Sequence, residues 1–166
     1  MKIISTYPAK IKESSGAFEA TAVLYRQAVD YFIGIMLKHW DKQFASLPNI
    51  NVVTRQTELL CWPTSKRPLT QYDFGKSFYK FPSYLRRAAI SEAYGMVSSY
   101  HTRLKQWKAS PQGKEPGLPK VGRTFPAMYR EVMFKNTTDR YTVRIKVFIR
   151  NTWDWMEVKL RKSDMD

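Results

Sequence analysis

The chain opens on an alternating pattern. In residues 2–11, KIISTYPAKI, the positions Ile3, Ser5, Tyr7, Ala9 and Ile11 fall at period two, which predicts a strand. Pro8 places that strand at an edge or a bulge. The period then changes. Phe18, Ala22, Tyr25, Val29, Phe32, Met36 and Trp40 recur at steps of three and four, the stripe of a long amphipathic helix. Ser14 or Ser15 offers its cap, and Leu47-Pro48-Asn49 its end. A shorter helix is expected over 50–61. Residues 62–82 carry three prolines and a glycine and read as loop with a helical turn or two. Ser83, after Pro82, is expected to cap the next helix. There Leu85, Ala89, Ala93, Met96, Tyr100, Leu104 and Trp107 form the apolar stripe, and Ser110-Pro111 stops it near residue 108.

Residues 109–120, ASPQGKEPGLPK, are a Pro/Gly/Lys linker. Beyond it the period returns to two. Val132 and Phe134 share a face; so do Tyr141, Val143, Ile145, Val147 and Ile149; so do Met156, Val158 and Leu160. Turns are expected at Asn136 to Asp139 and at Asn151-Thr152, giving an antiparallel meander of at least three strands. The first strand has no neighbour until residue 131, so it is expected to join the later ones. The implied fold is α+β: a small antiparallel β-barrel built from both ends of the chain, with an inserted α-helical subdomain. The expected boundaries are 1–12 for the first strand, 13–110 for the helical subdomain, 111–123 for the linker and 124–166 for the remaining strands.

Charge sharpens this picture. The chain has 166 residues with 28 Lys and Arg against 14 Asp and Glu, a net charge of +14. Residues 1–60 hold 7 basic and 5 acidic side chains, whereas residues 61–166 hold 21 and 9. A folded chain with 14% aromatic residues and so lopsided a charge suits contact with a polyanion, nucleic acid above all. The single Cys61 excludes an internal disulfide and a CxxC metal site, and fits a reducing setting. Beside Trp62 it reads as a small buried hydrophobe. The N-terminus lacks the apolar core of a signal peptide, and the apolar window YFIGIML at 31–37 is too short to span a bilayer. A soluble, cytoplasmic protein with no membrane partner is expected.

Two faces carry the charge. On the helix at 83–108 the polar stripe reads Arg87, Ser91, Tyr94, Ser98, His101, Lys105 and Lys108. On the strand at 141–150 the face opposite the apolar one reads Thr142, Arg144, Lys146, Phe148 and Arg150. A basic face with an aromatic in it suits phosphate contacts plus stacking. Exposed faces are polar in any protein and their lysines are usually only solvated. Two such stripes in one strongly basic segment tip the balance toward nucleic acid. The connector KVGRTFPAMYR at 120–130 adds Lys120, Arg123 and Arg130 interleaved with Phe125 and Tyr129. The expected contact residues are Arg87, Tyr94, His101, Lys105, Lys108, Lys120, Arg123, Arg144, Lys146, Phe148 and Arg150.

Catalytic signals are thin. His39 and His101 fall in separate helices without an i+4 ligand partner. HExxH, a GxGxxG after a strand, a P-loop and GxSxG are absent from the sequence. The 14 acidic residues are scattered, and no strand carries the apolar-flanked Asp of a two-metal nuclease. No enzyme activity, metal or cofactor is expected.

Several segments, taken in order, resemble the N-terminal part of the TnpB (OrfB) proteins encoded by insertion sequences, relatives of the type V CRISPR effectors. They are the N-terminal strand, LYRQAVDYFIGIM at 24–36, FPSYLRRAAISEAYGMVSSYHTRLKQW at 81–107, GLPKVGRTFP at 117–126 and WMEVKLRK at 155–162. The resemblance covers nearly the whole chain and its motifs are loose and helical. It implies a wedge-type, OB-like barrel interrupted by a helical recognition domain, together binding a guide RNA and target-adjacent DNA. In that family a nuclease domain with an acidic triad and a zinc site follows; this sequence ends before those residues. The expectation is therefore a binding module, with the nuclease in a missing C-terminal domain or a partner chain. A stand-alone basic regulator or inhibitor that binds DNA without a guide is the alternative. A small ribonuclease using His101 with Arg103 and Lys105 is a third reading, weakened by the lack of a second base.

Overall fold

A computed structural model of the chain describes residues 10–13, 15–122 and 128–164. The fold is α+β, with helices first and a three-stranded antiparallel sheet last. The described residues form two compact units: 10–21 with 128–164, and 22–122.

In the helical unit, α1 (Gly16–His39) carries the predicted stripe, with Tyr25, Val29, Phe32 and Met36 buried. Its first residues, 16–21, fall in the other unit. The Ser15 hydroxyl accepts from the Ala17 N–H at 3.2 Å, so the expected serine cap forms. The helix does not run on to Leu47. It gives way to a π-helical turn, Trp40–Phe44, closed by the Ala45 N–H on the Trp40 carbonyl at 2.9 Å. The wider turn brings Trp40 and Phe44 to the interior together. Asn49 then starts α2 (Ile50–Cys61), its side chain accepting from the N–H groups of Asn51 and Val52. The four-residue spacing of Val53, Thr57 and Cys61 puts all three on the buried side. Burial pushes the Cys61 thiol up to about 12.

A four-residue helix, α3 (Phe74–Ser77), lies in the predicted loop, capped by Asp73. It exists to place Phe74, whose ring meets those of Tyr31, Phe32, Trp62, Phe78 and Phe81 at centroid distances of 4.6–6.2 Å. The last helix, α4 (Ser83–Ala109), starts one residue earlier than expected. Pro82 holds the N-cap position, with no side-chain cap bond, and Ser83 is already helical. Proline's fixed φ, here −58°, sets the entry without a capping hydroxyl. The buried row is Leu85, Arg86, Ala89, Ile90, Ala93 and Val97. Met96, Tyr100, Leu104 and Trp107 stay half-exposed. Arg86 ties the two helices together. Its guanidinium lies 3.8 Å from the Trp62 ring centroid and 2.8 Å from a Glu58 carboxylate oxygen.

In the sheet unit, β1 (Phe134–Asn136), β2 (Thr142–Ile149) and β3 (Thr152–Lys159) pair in sequence order. Ile149 faces Thr152, which leaves Arg150-Asn151 as a two-residue turn with φ of 53° and 58°. That corrects the expected turn by one position. Both central residues of this turn need positive φ, which Asn accepts and β-branched Thr resists. The β1–β2 connection is held by Asp139, whose carboxylate accepts from the Thr142 hydroxyl at 2.6 Å and the Tyr141 N–H at 3.0 Å. These bonds hold that carboxyl below its ordinary range.

Both ends of the chain contribute to this unit. Ile11 bridges antiparallel to Leu160, and Lys12 and Arg161 donate backbone bonds to the carbonyls of Lys159 and Lys10 at 2.9 and 2.8 Å. Positions 2–9 of the predicted first strand lie outside the described residues. Among the described residues the sheet stays open, so a closed barrel is not seen. Part of one open edge is covered by the first residues of α1, 16–21. The N–H groups of Lys146 and Phe148 point to the same edge of β2. Lys146 donates to the Met133 carbonyl at 2.8 Å. Phe148, beyond the end of β1, donates to the hydroxyl of fully buried Thr21 at 2.8 Å. That hydroxyl in turn donates to the Ala17 carbonyl at 2.7 Å.

Candidate nucleic-acid interface

Strand alternation sorts the sheet into two faces. One carries Val143, Ile145, Val147 and Ile149 from β2 with Met156 and Val158 from β3; Val147 and Val158 are buried. The other carries Thr142, Arg144, Lys146 and Phe148, opposite Lys159, Glu157, Trp155 and Trp153 in register. Lys135 of β1 joins this second face opposite Arg144. Among the described residues it therefore holds four cations, three aromatic rings and a single acid, Glu157.

The side chains on that face touch in a defined way. Arg144 donates from Nε and Nη2 to one Glu157 oxygen at 2.9 and 2.7 Å, so the acid is neutralised within the sheet. Lys135 and Lys146 place their ammonium groups 4.7 and 5.5 Å from the Trp155 ring centroid. Phe148 and Trp153 meet edge to face at 5.6 Å. All three rings are half-buried. Beside them, at the β1–β2 connection, lies a recess of about 770 Å³. Its two cations, Lys135 and Arg144, are matched by Asp139 and Glu157, so the recess itself has no preference for an anion.

Among the expected contact residues, Arg144, Lys146 and Phe148 share this face, while Arg150 is moved off it into the hairpin turn. Trp153, Trp155, Lys135 and Lys159 belong to it and were not expected there. For Trp153, Trp155 and Lys159 the signal is the alternation in TWDWMEVK, which puts them on the face opposite Met156 and Val158.

Arg87, Tyr94, His101, Lys105, Lys108 and Lys120 lie in the helical unit; Arg123 lies outside the described residues. Arg87, Lys105, Lys108 and Lys120 are exposed. Lys120 stands between two shallow clefts of about 390 and 430 Å³, one against α1 and one against α4. Tyr94 and His101 correct the expectation of an open stripe. His101 stacks on buried Trp40 at 4.7 Å with the rings 5° apart, and Tyr94 lies 5.7 Å from the same indole. The expected stripe steps by 3.5 residues on average, whereas an α-helix turns every 3.6, so the row winds about 20° per heptad around the cylinder. The His101 Nε2 is buried with no hydrogen-bond partner among the described residues, and burial pulls its pKa below 6.5.

No helix among the described residues is long and apolar enough to cross a membrane. A family profile described as the Aq_aa04 family matches residues 5–149. A protein of Aquifex aeolicus (strain VF5), named "Uncharacterized protein aq_aa04", is 27% identical over 145 residues, covering 75% of this chain and 80% of its own length. No solved structure matches the chain.

Proposed function

The chain belongs to the Aq_aa04 family, and we propose that it is a nucleic-acid-binding module whose contact surface is the basic–aromatic face of the sheet. One observation carries this reading: on that face, among the described residues, the only acid is paired to Arg144, so Lys135, Lys146 and Lys159 stand outside that ion pair, around three half-buried rings. Phosphates take the cations and bases or sugars take the rings. The helical unit carries exposed cations of its own, Arg87, Lys105, Lys108 and Lys120.

The TnpB-like reading is part of the proposal. Its support is the meeting of both chain ends in one unit, with the helices inserted between them. On this reading the first strand completes a wedge-like barrel, guide RNA and target-adjacent DNA are the partners, and cleavage chemistry belongs elsewhere.

The test is a fluorescence-anisotropy titration against mixed-sequence RNA and DNA over a range of salt. Replacing Lys135, Lys146 and Lys159 together by Ala should flatten the log–log salt slope by about two to three units, from about 0.7–0.9 per phosphate contact. An unchanged slope and affinity in a variant with wild-type circular dichroism refutes the surface. Copurified RNA of discrete length supports the guide-bound reading; duplex-operator binding by RNA-free protein supports the guide-free regulator instead.

A further inference from the structure

Resting on that reading, we infer that the ligand of the sheet face is an unpaired strand, RNA or DNA, whose splayed bases stack on Trp153 and Trp155. The spacing of the rings decides between unpaired and duplex ligands. Trp153 and Trp155 are two residues apart on β3 and point to the same face. At about 3.4 Å per residue their attachment points are about 6.8 Å apart. Successive bases within a duplex strand rise about 3.4 Å. Neighbouring bases seated on both rings are therefore pulled off one another, which only an unpaired strand allows. A duplex keeps its base faces inside and meets this surface with phosphates alone.

The cations fit the same ligand. Lys135 and Lys146 now sit 4.7 and 5.5 Å from the Trp155 centroid. Their flexible stems let each ammonium swing from ring to phosphate, leaving the indole to a base. Phe148, edge-on to Trp153, fixes that ring against the sheet and lowers its freedom before binding. At the neutral recess of the β1–β2 connection the Thr137 hydroxyl is already held by the Asp139 and Thr142 carbonyls, which leaves exposed Thr138 to meet a sugar instead of a phosphate.

The experiment compares a labelled unpaired 12-mer with a 12-base-pair duplex at one salt concentration. The unpaired strand is expected to bind at least tenfold more tightly. Trp155→Leu should weaken it by roughly five- to 150-fold and leave the duplex unchanged. The wild-type chain labelled with 5-fluorotryptophan gives a readout independent of variant folding. The fluorine resonances of Trp153 and Trp155 should shift with the unpaired strand and not with the duplex, while that of buried Trp40 stays put. Equal or tighter duplex binding, or unmoved Trp153 and Trp155 resonances, overturns the inference; if the triple lysine variant still loses affinity, nucleic-acid binding by this face stands. Absence of binding to either ligand removes both.

Discussion

Thr21 is a single hydroxyl on which the start of α1 and the sheet both depend, and Thr21→Val removes it at almost constant volume. The side chain is fully buried. Its oxygen accepts the Phe148 N–H at 2.8 Å and donates to the Ala17 carbonyl at 2.7 Å. The Ala17 carbonyl still has its helical partner four residues on, so losing the hydroxyl deprives it of little. The Phe148 N–H has no substitute, because β1 ends before it. An orphaned buried donor costs about 1–3 kcal/mol. Val and Thr have similar helix propensities, so that term cancels. The sheet unit should therefore lose about 1–3 kcal/mol in urea denaturation. Thr21→Ser, which keeps the hydroxyl and loses a methyl group, should lose about 1 kcal/mol. Amide exchange adds a local readout: the Phe148 N–H should be protected in wild type and in the serine variant, and should exchange fast in the valine variant. A valine variant as stable as wild type within about 0.5 kcal/mol, with Phe148 still protected, would show that α1 does not close this edge.

Two further outcomes follow from the helical unit. Phe74→Ala removes a fully buried ring with five aromatic neighbours, and calorimetry should show a loss of about 3–5 kcal/mol, whereas Phe74→Leu should lose much less. His101 has its folded pKa lowered from 6.5, chiefly by burial, so below pH 6.5 the unfolded chain binds more protons than the folded one. Stability should then be full above pH 6.5 and fall as the pH drops through 6.5 toward the folded pKa; denaturation midpoints across pH 5–8 should flatten in that window in His101→Phe, and an equal slope in both proteins would refute this role.

How much of this was legible in the sequence differs by element. The helices were, because their signals are local: Asn49 before the row Val53, Thr57 and Cys61 marks α2 to the residue. The end of α1 was not. A π-helical turn keeps an apolar residue at each four-residue step, so Trp40 and Phe44 continue the helical pattern while the backbone leaves it. The basic–aromatic face was half legible. Alternation puts Trp153 and Trp155 opposite Met156 and Val158, but what stands across from each ring depends on the hairpin register. A turn at Asn151-Thr152 would set Phe148 against Trp155 and Lys146 against Glu157. The turn at Arg150-Asn151 sets Phe148 against Trp153 and Lys146 against Trp155, and sets Glu157 against Arg144. One residue in a loop thus decides which cation is neutralised and which stays available.

The simplest competing account of the sheet face is that its rings only shield the fold. Cross-strand pairs such as Lys146 with Trp155 do stabilise a sheet, by about 0.2–1 kcal/mol each. That would explain one aromatic among polar neighbours. It does not explain the placement of three. The apolar interior of this sheet lies on its other side, with Val147 and Val158 buried there. An antiparallel sheet with one face packed ordinarily gives the other face polar residues. Here that face has rings left half in water, and a run of half-exposed rings invites association with other apolar surfaces. The three lysines oppose that association between copies of the chain, because two such faces repel. The same charges draw in a polyanion. On the proposed reading, one set of side chains both rejects a second copy and attracts a phosphate chain, a combination that a merely protective layer of aromatics does not require.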